Sequence, residues 1–408
     1  MSVERDASLP NPTKWLLVGA VGLIISFVGM FVDSRMATFC YLIGLMFTTS
    51  IIIGMLFLVM IHHIFDAYWS TIIRRQAENF LAALPWMAVL FIPLFLITYL
   101  YKQDTLWIWM DTSHELHGHG TVGEDILYQK KTWWLNEPFF WIRALVCFGS
   151  WVYFARPFRR NSFSQDTDGS AEHTYSSRKH AAGGLIVVAL TWSMAGFDWI
   201  MSLEYHWFST MFGVWFFANS MRAALAVLIL VAAFLVAKGP LKGIFNTKHL
   251  HDLSTLSFAF TVFWAYISFS QYFLIWNANI PEETFWYNFR EDGMWYGVSM
   301  FLIFGHFLFP FLFMLQFPLK TKYPAMVFMA CWILFMQLFD LIFNILPSLK
   351  IHGTTAQLFH HPLGFLWLAA SVLGGIGILL WAYWTSYHKV KIIPIRDPRI
   401  GECLNHNH

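Results

Sequence analysis

Ten stretches of about 18 or more predominantly apolar residues recur along this 408-residue chain, each long enough for a helix to cross the ~30 Å hydrocarbon core of a bilayer. They lie near 15–32, 37–62, 81–101, 138–156, 181–202, 208–236, 252–276, 293–316, 324–347 and 362–387. A backbone in lipid must satisfy its own hydrogen bonds, so the pattern predicts an all-α integral membrane protein with ten transmembrane helices. Charged residues are only 12% of the chain and aromatic residues 19%; a soluble enzyme, about 25% charged, is excluded. The polar tail from Met1 to Lys14 lacks the short apolar core and small-residue cleavage site of a signal peptide, so the first span is expected to be retained.

An even number of spans places both termini on one side. Of the 26 Lys and Arg residues, eighteen fall in segments on that side, six in the alternate segments, and Arg143 and Arg222 within spans. Positive charge accumulates on the cytoplasmic side, so both termini are expected there. The terminal-side set includes Arg74 and Arg75, read as a loop, and the segment 157–180, whose Ser162, Ser164, Gln165, Asp166 and Gly169 predict a mobile, unpacked loop without chemistry. On the opposite side, 102–137 and 277–292 are long, acidic and ring-rich, which fits either a surface docked on other protein or an aromatic belt. The formal charge of +2 gives no sign of a nucleic-acid partner.

A duplication is legible. The fifth span carries Phe197-Asp198-Trp199-Ile200 and the ninth Phe339-Asp340-Leu341-Ile342. Phe148-Gly149-Ser150 matches Phe304-Gly305-His306, and Thr105-Leu106-Trp107 matches Thr284-Phe285-Trp286. These matches predict two same-orientation four-helix bundles, spans 2–5 and 6–9, with one flanking helix at each end. The corresponding divisions are 1–36, 37–202, 203–347 and 348–408.

Ionisable residues within spans are costly and face the protein interior, where they mark a pathway or pair with one another. Asp340 shares a helical face with Gln337 and Asn344, Asp198 with Thr191 and Ser202, and Arg222 with Asn219; Arg143 lies nearer the outer end of the fourth span. His306, with Ser299 seven residues before it, is the histidine nearest mid-depth. Two readings stand. Asp198, Asp340 and His306 are stations for moving protons, or the aspartates pair with Arg143 and Arg222 to lock helices together. His62, His63 and Asp66 form a candidate cytoplasmic mouth, and Glu204 and His206 either extend the path outward or cap helix ends.

Other chemistry finds little support. Cys40, Cys147, Cys331 and Cys403 are too scattered for a cysteine-ligated cluster. His114, His117 and His119 lie in a glycine-bearing stretch that reads as a solvated loop more readily than a metal site, and His360, His361, His406 and His408 carry no more weight. A b-type haem held by two histidines lacks a partner for His306 at matching depth. No phosphate-cradling G-x-x-x-x-G-K-[ST] motif is present.

The ten-span plan of two four-helix units and two flanking helices resembles the polysulfide reductase membrane-subunit (NrfD-like) family. The run from Thr191-Trp192-Ser193-Met194-Ala195-Gly196-Phe197-Asp198 through Glu204, His206-Trp207-Phe208-Ser209-Thr210-Met211 to Gly213 resembles in particular the second such subunits of alternative complex III. The resemblance covers essentially the whole membrane part. It implies a subunit of a respiratory quinol:cytochrome c type oxidoreductase in a bacterial cytoplasmic membrane, with no redox centre of its own. The implied quinol is menaquinol or a similar one. Implied partners are a homologous quinol-binding membrane subunit, an outer-face iron–sulfur/molybdopterin-like subunit, c-type cytochrome subunits that carry the haem c, and a terminal oxidase. The second subunits are associated with proton conduction; Asp198 and Asp340 fit the family's interior acidic positions, with Arg222 and His306 as further matches. A free-standing secondary transporter and a structural scaffold are the rival readings from residues alone.

Overall fold

A computed structural model describes residues 9–101, 106–116, 120–351, 354–355 and 361–406. Met1, Thr105, His117, His119, His360 and His408, named above, lie outside the described residues, as do Arg5 and Lys102 of the Lys and Arg count. The chain is a multi-pass membrane protein: the regular structure of the described residues is helical apart from one short β pair, 350–351 with 354–355, and among them ten helices are long and apolar enough to cross a bilayer. We number them α1 (Pro12–Val32), α2 (Ser34–Ile64), α3 (Tyr68–Leu100), α4 (Glu137–Asp168), α5 (Glu172–Glu204), α6 (Phe212–Ala237), α7 (Thr247–Ala278), α8 (Gly293–Leu315), α9 (Tyr323–Ser348) and α10 (Gly364–Tyr387).

Local sequence sets the helix ends. The side chains of Asn11, Asn136 and Asn246 accept hydrogen bonds from the first-turn amides of α1, α4 and α7. Gly169 closes α4 in the left-handed conformation with φ 71°, and Asn279 closes α7 in the same way with φ 48°.

Two expectations about the terminal face require correction. The segment 157–180 is helical rather than loose: α4 continues through Pro157 to Asp168, and α5 starts at Glu172. Its polar residues are packed, with Gln165 bonded to Thr174 at 2.9 Å and Asn161 to Ser177 at 3.2 Å. Arg74 and Arg75 likewise lie in the helical start of α3 and are buried. Hydropathy stops counting a helix where it turns polar, but here the helices extend past the apolar zone and bury their polar ends against each other.

α2 is enclosed by protein along its whole apolar window. It packs on α1, α3, α5, α6, α9 and α10. The helix pairs 2–3, 3–4, 4–5 and 2–5 are in contact, and so are 6–7, 7–8, 8–9 and 6–9. α5 also touches α6, and α9 touches α2, while α1 and α10 lie against each other and α2. Tryptophans from two opposite-face segments, Trp107 and Trp286, reach the ends of α5 and α9 respectively. Trp107 donates to the Trp199 carbonyl at 3.4 Å, and Trp286 packs edge-on against Phe343 at 5.8 Å. The shorter match is unequal: Phe148 is buried on Trp199, whereas Phe304 is exposed.

Among the described glycines, the one with least room for a side chain lies at the crossing of α2 and α6. A Cβ on Gly54 would lie 2.1 Å from the Ser220 carbonyl oxygen, a contact that side-chain motion cannot relieve. Gly54→Ala is therefore expected to destabilise the fold by about 1–3 kcal/mol, as overpacking does. Gly183→Ala, in α5 where an added Cβ meets nothing within 4 Å, is expected to be neutral or mildly stabilising. Thermal unfolding in mild detergent compares the two.

Candidate functional site

α8 is interrupted near its middle. Its α-helical turns end at Phe301, a π-helical segment spans Leu302–Leu308, and α-helix resumes at Phe309. The cause lies in the sequence. Pro310 has no N–H to offer the carbonyl four residues back, which belongs to His306. The Phe309 amide reaches back to Phe304 and bypasses Gly305. Both carbonyls are taken by side chains of neighbouring helices: Arg222 Nη2 of α6 donates to His306 at 2.9 Å, and Trp332 Nε1 of α9 to Gly305 at 2.7 Å.

Polar groups of four helices meet around this break. Arg222 is fully buried, ten residues into α6 and so ~15 Å along its axis, near the middle of the membrane. Among the described residues no carboxylate comes within 4.0 Å of its guanidinium, and its Nε and Nη1 have no hydrogen-bond partner. The Trp264 ring of α7, 5.5 Å from that guanidinium, gives partial compensation. Trp264 also packs edge-on against His306 at 4.2 Å, and neither imidazole nitrogen is bonded to protein.

On α9, Asp340 accepts a hydrogen bond from the Asn219 amide of α6, and Asn344 caps the Asp340 carbonyl at 2.7 Å. Gln337 is buried one turn earlier with both amide atoms unbonded. Ser254, Ser257 and Thr261 form a buried hydroxyl stripe on α7 between its terminal-side end and Trp264. Towards the other face, Gln271 of α7 accepts from Ser209 at 2.9 Å and donates to the Tyr287 hydroxyl at 3.0 Å.

Asp198 is built differently. Arg143 grips its carboxylate with Nε at 2.5 Å and Nη2 at 3.0 Å, and Trp134 Nε1 adds a bond at 2.9 Å. The geometry is that of the ion-pair reading. The rings of Trp134 and Phe139 also lie against the Arg143 guanidinium, 4.2 and 4.3 Å away. His206 pairs with Asp125 on the opposite face, where Tyr205 bonds the same carboxylate at 2.7 Å. Burial pushes the Asp125 carboxyl up, but these two bonds outweigh it and hold the group below the usual carboxylate range. Glu204 stands within electrostatic reach of the buried Arg290. That arginine donates to the Phe343, Asn344 and Trp286 carbonyls, closing the end of α9. Glu204 and His206 thus engage groups at the opposite face, away from the Asp198 carboxylate.

At the terminal face His62 and His63 are buried rather than open to water, with no ring nitrogen bonded to protein. Beside them lies a network that the sequence reading missed. Arg74 bonds Glu78 at 3.3 Å and Asp397 at 2.5 Å; Arg75 bonds Asp166 at 2.7 Å; Arg399 bonds Asp397 at 3.0 Å and Asp66 at 2.9 Å. The i,i+4 spacing of Arg74 and Glu78 was the available signal, as Pro310 was for the α8 break. The tail residues Asp397 and Arg399 signalled only their pairing with each other, because their other partners, Arg74 and Asp66, are more than 300 positions away.

No protein-family model matches the chain, and comparison with curated proteins finds no match.

Two predictions follow from the buried charges. Asp198→Asn or Arg143→Gln alone leaves the partner group buried without its counter-ion and is expected to cost about 3–5 kcal/mol, while the double variant loses less than the sum; thermal unfolding of the four proteins gives the coupling. For Asp397, burial raises the carboxyl but Arg74 and Arg399 outweigh it and hold it down at about 2. A depressed carboxylate stabilises fully above its unfolded range, and that contribution is lost as pH falls from about 4 towards about 2. Asp397→Asn is expected to lower the melting temperature at neutral pH and flatten this acid limb, as melting curves across pH will record.

Proposed function

We propose that this chain is an integral membrane subunit of a respiratory quinol:electron-acceptor oxidoreductase of the alternative complex III kind, and that it carries protons through helices α6–α9. The observation that carries the proton role is the polar meeting point at the α8 break. Arg222, His306, Gln337 and Asp340 are all buried near mid-membrane, and several of their hydrogen-bonding atoms have no protein partner. Leaving such groups dry costs about 1–3 kcal/mol each, so a scaffold would have little reason to keep them unpaired. Water bridging them to the hydroxyl stripe on the terminal side and to Gln271 on the other makes a path with Asp340 as its titrating station and His306 as its neighbour.

The same reading takes helices 2–5 and 6–9 as two four-helix units of one orientation, flanked by α1 and α10. The matching sets of helix contacts support it. The units have diverged: in the first, Asp198 is pinned by Arg143 and serves assembly; in the second, no guanidinium among the described residues lies within 4.0 Å of Asp340, which serves transfer. The resemblance of residues 191–213 supports the respiratory assignment. In that assignment both termini are cytoplasmic, in a bacterial cytoplasmic membrane. A homologous quinol-binding membrane subunit, an iron–sulfur/molybdopterin-like subunit and c-type cytochromes are partners, a terminal oxidase is downstream, and menaquinol or a similar quinol is oxidised. This subunit brings no redox centre of its own.

Mild-detergent purification from native membranes is expected to recover the chain with c-type haem and iron–sulfur partners; recovery as a lone chain favours a transporter and overturns the assignment. In the purified assembly in vesicles, Asp340→Asn is expected to cut quinol-coupled proton movement at least tenfold while the subunits stay assembled. Unchanged coupling removes the proton role.

A further inference from the structure

The chain after α10 does not leave the protein. Ile392 and Ile393 are buried, and the Ile392 carbonyl accepts from Gln76 at 2.8 Å. The Lys391 carbonyl accepts from Arg75 at 3.0 Å, and Arg396 bonds the Thr167 carbonyl. Asp397 and Arg399 join the arginine–carboxylate network, and in the short helix Ile400–Leu404 the buried Cys403 thiol donates to the Trp69 carbonyl at 3.1 Å. His406 then pairs with Asp252 of α7 at 2.6 Å. Residues 391–406 are therefore anchored in turn on α3, α4, the corner after α2, and α7.

That corner is the terminal-side end of the helix that carries His62 and His63. Asp66, its turning point, has a φ of 52°, a conformation costly for a non-glycine residue, and is held there by Arg178 at 2.6 Å and Arg399 at 2.9 Å. His62 lies edge-on to Trp69 and His63 stacks on Phe158, both at 5.5 Å. The charges of Arg74 and Arg399 act on both imidazoles. A pair of buried imidazoles with four unbonded ring nitrogens is a site for water or an exchangeable proton, and what separates it from the terminal-side solvent includes the returning tail.

We propose that residues 391–406 form a strap that seals a buried His62–His63 site against water from the terminal face, with Arg399 as its central fastening. Ile392, Ile393 and Cys403 are buried, but between them, from Arg396 to Arg399, the strap is held by ion pairs and a bond to a backbone carbonyl. Such segments open at lower free energy than the packed helices beneath them. Opening releases Arg399 from Asp66 and exposes the imidazole pair, which makes access to this site a property of the tail and separate from the path at Asp340.

Thiol labelling tests the seal without any assumption about quinol chemistry or proton transfer. In membranes holding the native assembly, and in a Cys331→Ala background, labelling by a small charged thiol reagent added from the terminal side is followed at Cys403 and, separately, at His62→Cys. With the strap intact both are expected to react at least tenfold more slowly than in detergent-unfolded protein, and Arg399→Gln is expected to speed both at least tenfold. Asp252→Asn, which loosens only the last anchor, is expected to speed Cys403 alone, and it supplies the comparison if Arg399→Gln fails to accumulate. Rapid reaction of His62→Cys beneath an intact strap overturns the proposal. So does an Arg399→Gln variant in which Cys403 reacts at least tenfold faster while His62→Cys stays protected.

Discussion

The carbonyl of His306 has no helical donor, and a buried guanidinium supplies one. Much of the second half of the protein is arranged around that substitution. A proline placed where α8 crosses mid-membrane forces the backbone to seek partners outside its own helix. Arg222 and Trp332 provide them from α6 and α9. Because one end of Arg222 is committed to a neutral carbonyl, its charge is left without a carboxylate in contact, and Asp340 is left to an amide. The break therefore fixes the backbone of α8 and keeps an acid and a base close but unpaired.

The first half answers a similar problem in the opposite way. Asp198 and Arg143 close on one another with two short contacts, and indole and phenyl rings cover what remains. An acid held in this manner is immobile, which suits a joint between α4 and α5. Under the proposed duplication and proton role, the contrast lets one repeated position serve as a fastening in one half and as a titrating group in the other. What differs is the depth and origin of the guanidinium: Arg143 comes from the neighbouring helix near the membrane surface, Arg222 from the centre of the molecule.

The spans were legible because hydropathy reports lipid contact, and even α2, which lipid never touches, is apolar enough to be read. The polar candidates within spans were legible too, since each is an exception to its surroundings. Their pairing was not. Residues 143 and 198, or 219 and 340, come together through helix packing, and nothing in their local spacing distinguishes a clamped aspartate from a loosely held one. The terminal face was misread for a related reason. Arg74, Arg75 and Asp166 look like solvent-exposed loop residues in a hydropathy profile, yet each finds an opposite charge contributed by a distant segment, and burial follows from the pairing.

The position of α10 has a bearing on biogenesis. It lies against α1, α2 and α3, which are made well before it. Until α10 has been made, the glycine-lined face of α1 and one flank of α2 lack their helical partner. The last of the ten spans thus shuts a side of the molecule left open since α1–α3 were made, and only then can residues 391–406 reach their anchors. A ribosome that stops short of α10 would release a chain with most of its spans in place but with an unguarded seam, a natural handle for membrane quality control.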